Sequence, residues 1–91
     1  MELEFEWSEA KRLKVLSDRG LDFVDARDLF DGRPVISMPS PRGDEERWLN
    51  TAELHGRLVV VVWCRRAERI RVITMRRARD AETRRYRELY G

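Results

Sequence analysis

A chain of 91 residues with 40% charged and 42% hydrophobic side chains has room for one domain and one modest core. Its single histidine and single cysteine exclude an internal disulfide, a zinc site of the usual kind and a histidine-pair mechanism. No apolar run reaches the roughly 18 residues that a membrane-spanning helix needs. The net charge of +2 hides a division: residues 1–56 hold 8 Lys and Arg against 13 Asp and Glu, while residues 57–91 hold 11, all Arg, against 4. A basic half is the footprint of a polyanionic partner. Arginine is suited to bidentate phosphate contacts and to stacking on bases. A general preference for Arg over Lys, 17 to 2, explains the type of cation but not why the acids gather in the other half.

The opening Met1-Glu2-Leu3-Glu4-Phe5-Glu6-Trp7 is acidic and lacks the basic-then-apolar order of a signal peptide. A cytoplasmic location is expected. Ser8 reads as the N-cap of a first helix over about 8–18, with Ala10, Leu13 and Leu16 at helical spacing and Gly20 as its C-terminal stop. Asp22 caps a predicted second helix with Val24, Ala26, Leu29 and Phe30 as apolar anchors, ended by Asp31-Gly32. A short strand follows at 35–38, then a loop over 39–44 whose prolines forbid a central strand.

Residues 46–52 alternate as a second strand, and Leu54-His55-Gly56-Arg57 turns the chain, leaving His55 exposed in a loop. Leu58-Val59-Val60-Val61-Val62-Trp63-Cys64 is the clearest strand, and its β-branched run predicts a central position with both faces covered. Residues 65–69 form a charged hairpin loop, 70–75 the partner strand, and Asp80 starts a charged C-terminal helix. The expected fold is α+β: a twisted antiparallel four-stranded sheet with two N-terminal helices and a C-terminal helix, the helices on one face.

These residues, in this order, resemble the BrnT family of bacterial type II toxins over nearly the whole chain. Phe5-Glu6-Trp7-Ser8 with Lys11 is similar to the family's opening F-x-W-D-x-x-K. Gly20-Leu21-Asp22-Phe23 with Ala26 and Phe30-Asp31, then Asp44-Glu45-Glu46-Arg47, then Gly56-Arg57-Leu58-Val59-Val60-Val61, follow its later elements. Arg66 with Arg71-Val72-Ile73-Thr74-Met75-Arg76-Arg77-Ala78 resembles its R…R-I-I-S-A-R-x-A signature. Departures are Ser8 for Asp, Val15 for Asn, Asp18-Arg19 for Lys-His and Thr74 for Ser. The resemblance implies a RelE-like fold and a metal-independent endoribonuclease that inhibits translation. It further implies a cognate, BrnA-like, DNA-binding antitoxin that forms a hetero-oligomer with the toxin.

Cleavage by an internal 2′-hydroxyl requires a base, a stabiliser of phosphorane charge and an acid. Arginine supplies the second. Arg66 at the hairpin tip and Arg76 at the end of the last strand are the expected stabilisers, with Lys11 and Glu46 the leading secondary catalytic candidates and Tyr86 another possible proton carrier. Arg47, Arg65, Arg71 and Arg77 are expected to bind RNA, and Trp48 to stack on bases, with Trp7 and Trp63 in the core. Cys64 reads as an inert buried thiol. No cofactor and no membrane is implied. The competing reading is a catalytically inactive RNA- or protein-binding module on the same fold. A metabolic enzyme is disfavoured by the lack of a glycine-rich phosphate loop or metal cluster.

Overall fold

The computed structural model describes residues 3–40 and 46–91. In chain order the elements are β1 (Glu4–Glu6), α1 (Glu9–Arg19), a 3-10 helix (Phe23–Phe30), β2 (Val35–Ser40), β3 (Arg47–Leu54), β4 (Arg57–Arg66), β5 (Arg69–Arg77) and α2 (Asp80–Tyr90). The strands form one sheet in the order β1-β5-β4-β3-β2. The valine strand β4 is the middle strand, antiparallel to both neighbours, and Val59, Val60 and Val61 are 0–1% exposed.

The sheet has five strands and is mixed, which corrects the expected four-stranded antiparallel one. The added strand, β1, runs parallel to β5, with Glu4 opposite Arg69 and Glu6 opposite Arg71. Its Phe5 packs edge-on against Phe30 at 5.2 Å. Helices and three strands lie between β1 and β5 in the chain, which gives the long connection that parallel pairing requires.

The second N-terminal helix is also corrected, because it is 3-10 rather than α. Asp22 caps it by accepting from the Val24 N–H at 3.0 Å. Its buried residues, Phe23, Ala26 and Leu29, recur every third position, which matches three residues per turn and not 3.6. The first helix follows its expectation, with Ser8 as N-cap and Gly20, at φ 70°, as its left-handed C-cap.

The helical elements divide between the two faces of the sheet rather than sharing one. Val15, Phe23, Ala26 and Leu29 close the core over Ala52, Leu54, Val59, Val61, Val72 and Met75. Each large side chain fully buried there contributes about 1.5–3 kcal/mol. The opposite face receives α2, whose only buried residue is Tyr86. The Tyr86 hydroxyl donates to the Pro34 carbonyl at 3.1 Å, and the Tyr90 hydroxyl to the Val35 carbonyl at 3.2 Å.

Two local features set the register. His55 and Gly56 have φ of 51° and 80°, the pair of left-handed residues that a two-residue hairpin favours. Between Val62 and Trp63 the pairing with β5 slips, so that Val62 faces Thr74 and Trp63 faces Val72. Ile73 is the extra residue of this bulge. Pro39 and Ser40, expected in a loop, extend edge strand β2, where a missing N–H is tolerated. The rest of that expected loop, 41–44, lies outside the described residues. Among the described residues no helix is long and apolar enough to cross a membrane.

Candidate nucleic-acid interface

Strand alternation sorts the side chains of β3, β4 and β5. Trp48, Asn50 and Ala52 share the core face with Val59, Val61 and Trp63, whereas Arg47, Leu49 and Thr51 share the other face with Val60, Val62, Cys64 and Arg66. On β5 the bulge carries Arg69, Arg71, Thr74 and Arg76 to that second face. The second face therefore has an aliphatic middle and arginines toward both ends.

Two cavities open on it. A cleft of about 150 Å³ is lined by Ser8, Lys11, Arg47, Arg66, Arg71, Val72 and Ile73. The Ser8 hydroxyl accepts from the Lys11 backbone N–H at 3.3 Å, so the cap that starts α1 also aims its first turn at the cleft. The positive end of the helix dipole adds to the cations there. A larger groove of about 860 Å³ runs between α2 and the sheet. Its floor includes Ile36, Met38, Leu49, Val62 and Ile73, and its rim includes Arg19, Arg47, Arg79, Arg84 and Arg85.

Arg47 lines both cavities. Its Nε is buried and has no hydrogen-bond partner among the described residues. Arg71 donates to Glu6 at 2.8 Å, with both side chains about one-third exposed. Arg76 lies in the groove and makes a two-pronged pair with Glu82 at 2.7 and 2.8 Å. Hydrogen bonding to Arg76 holds the Glu82 carboxyl below its ordinary value of 4.5, and the same bond pushes the Arg76 guanidinium up. Glu82 also accepts from the Arg79 backbone N–H at 2.8 Å, closing the first turn of α2.

The structure brings together four of the residues singled out from sequence: Lys11, Arg47, Arg66 and Arg71 share the cleft. It does not bring Arg76 to Arg66. Arg76 is opposite Val60 and Arg66 opposite Arg69, six positions apart on β4, or about 20 Å at ~3.3 Å per residue. One phosphate does not reach both. Glu46 is exposed just before β3 and lines neither cavity. Arg65 and Arg77 are exposed and alternate toward the core face of the sheet. Trp48 is half-buried and stacked on Trp63 at 6.3 Å, and Trp63 in turn meets Phe30 at 5.2 Å. Tyr86 is the buried residue of α2. His55 is exposed in its turn and Cys64 is buried.

Sequence reasoning missed Arg19, which donates to the Met75 carbonyl at 2.7 Å, and Arg79, just before α2, with Arg84 and Arg85 on it. The last three were visible as part of the basic half. What placed them at a groove was the side of the sheet that α2 covers, which alternation alone does not reveal.

The fold is a small mixed α+β domain whose cationic cleft and arginine-rimmed groove share Arg47. Residues 7–82 match the family of ribonuclease toxins, BrnT, of type II toxin–antitoxin systems, and the chain belongs to that family. Membership makes it a ribonuclease toxin with a protein antitoxin as partner. None of the curated proteins matches the chain.

Proposed function

We propose that this protein is a metal-independent endoribonuclease that cuts RNA at the cleft of Lys11, Arg47, Arg66 and Arg71, so inhibiting translation until a cognate antitoxin binds and neutralises it. The convergence of four cations on one small cleft carries this reading. In the reaction the 2′-oxygen attacks phosphorus, its proton passes to solvent, and the bond to the 5′-oxygen breaks. Arg66 and Arg47 neutralise the negative charge that builds on the phosphorane oxygens, fixed in place before the reaction and so without reorganisation cost. The Lys11 ammonium delivers a proton to the departing 5′-oxygen. Arg71 holds a neighbouring phosphate. Arg76, tied to Glu82, fixes α2 beside the RNA path instead of touching the scissile group.

The test is growth arrest and cleavage of purified RNA by Arg66→Ala and Lys11→Ala, each checked for native folding. Each substitution lowers cleavage on the order of 10²-fold if it removes a group acting on developing charge. Arg65→Ala, on the other side of the sheet, leaves it unchanged. Cleavage persists in excess chelator. If both cleft variants remain fully toxic, the cleft is not the catalytic site. If the unaltered protein neither arrests growth nor cuts RNA, it is an inactive binding module on this fold.

A further inference from the structure

The larger groove has a chemistry of its own. Its floor is aliphatic, and no aromatic ring is among its described lining residues. Val62 is half-open there, although the three valines preceding it are sealed. Met38 is 46% exposed. Sites that hold single-stranded RNA on a sheet present aromatic rings for bases to stack on. An aliphatic floor instead matches the Leu, Ile and Val side chains of an amphipathic helix.

The rim adds the charge. Arg19, Arg47, Arg79, Arg84 and Arg85 face Glu88, while Arg76 and Glu82 neutralise each other. The buried Arg47 Nε is a donor without an acceptor among the described residues, and a buried donor left unmet is destabilising. A carboxylate meets it. The groove follows α2, 11 residues long, which spans about 16 Å at 1.5 Å per residue, or about three helical turns.

We propose that this groove seats the antitoxin, through an acidic amphipathic helix of about three turns. Its aliphatic face, spaced i, i+3, i+4, i+7, rests on Met38, Leu49, Val62 and Ile73. Its carboxylates meet Arg47, Arg84 and Arg85. The proposal deepens the toxin reading and rests on it. Because Arg47 belongs to both cavities, a helix seated in the groove consumes a cation of the cleft and bars RNA from it. Neutralisation is then direct competition for Arg47.

The experiment co-expresses this protein with the product of the reading frame adjoining its gene and measures the affinity of the pair. A fluorescein-labelled oligouridine strand serves as the RNA probe. The variants are Met38→Glu and the double Arg84→Glu/Arg85→Glu, at exposed or half-exposed positions, with Arg65→Glu/Arg77→Glu as the control on the other face. Each groove variant weakens the protein pair about 30-fold or more, the effect of a central interface residue, and the control does not. Groove variants that bind the partner like the unaltered protein overturn the proposal. If they keep the partner but lose the oligouridine, the groove belongs to RNA and the inference fails while the ribonuclease reading stands. If the unaltered protein forms no pair at all, the neutralisation part of the function falls and this inference with it. Cleavage by the cleft variants is scored separately and tests only the catalytic assignment.

Discussion

The attachment of α2 is the part of this fold most open to a single test. One residue of α2 is buried, Tyr86, and burying one such ring contributes about 1.5–3 kcal/mol. The Tyr86 and Tyr90 hydroxyl bonds add about 1 kcal/mol each. A further tie is the Arg76–Glu82 pair, with side chains 19% and 27% exposed and two short bonds. Exposed pairs contribute about 0.2–1 kcal/mol, and charge-assisted bonds shielded from water contribute more, so this partly screened pair is placed at about 1–2 kcal/mol. Against so thin a margin, that is about a 5- to 30-fold change in the ratio of docked to released helix. A double-mutant cycle of Arg76→Met and Glu82→Gln isolates the coupling from the capping bond that Glu82 also makes. Hydrogen exchange over residues 80–90 reads it, with the Val59–Val61 amides as internal reference. Faster exchange in α2 with unchanged exchange in β4 is expected. Unchanged α2 exchange refutes the clamp, and parallel loss in β4 shows that α2 unfolds only with the whole domain.

Acid provides a second route to the same release. The folded Glu82 carboxyl titrates below its ordinary 4.5, so its contribution is complete above that value and is lost as pH falls through the lower folded one. Exchange in α2 therefore rises selectively in acid, and Glu82→Gln abolishes that dependence. RNA affinity falls steeply with salt. Single-strand binding loses about 0.7 log units per log salt for each phosphate neutralised, so the four cleft cations predict a slope near −3, and a flat salt titration refutes a phosphate-dominated site. Glu6→Gln frees Arg71 from its 2.8 Å pair and raises RNA affinity in the same titration. A fall instead shows that Glu6 orients Arg71 for phosphate.

Much of the fold was legible because several signals were local. The Ser8 cap, the Gly20 stop, the His55-Gly56 turn and the valine run each depend on residues adjacent in sequence. What was not legible depends on distant pairing. Leu3, Phe5 and Trp7 alternate with Glu4 and Glu6, a period-two pattern, but three paired residues are short for a strand. Only contact with β5, more than sixty positions away, makes that segment part of the sheet. The 3-10 helix was written in the three-residue spacing of Phe23, Ala26 and Leu29, a period easily merged with the α-helical one. Trp48 failed to stand out as a core-side residue because its neighbours are charged, and its stacking on Trp63 is a cross-strand fact.

The charge division behaves differently in space than along the chain, and β1 is the reason. Glu4 and Glu6, from the acidic half, lie beside Arg69 and Arg71 of the basic half. Arg12 is bound by Asp22 and Glu9 within the acidic half, which holds the Asp22 carboxyl below its ordinary range. Arg33 does the same to Asp31, and Glu82 takes Arg76. Many of the arginines are thus committed to carboxylates that organise the scaffold. Lys11, Arg47, Arg84 and Arg85 carry no ion pair among the described residues, and all four border the cleft or the groove. A polyanion and an acidic helix would be drawn to the same small set of cations. Under the proposed competition, possession of Arg47, the one cation common to both cavities among the described residues, separates an active toxin from a neutralised one.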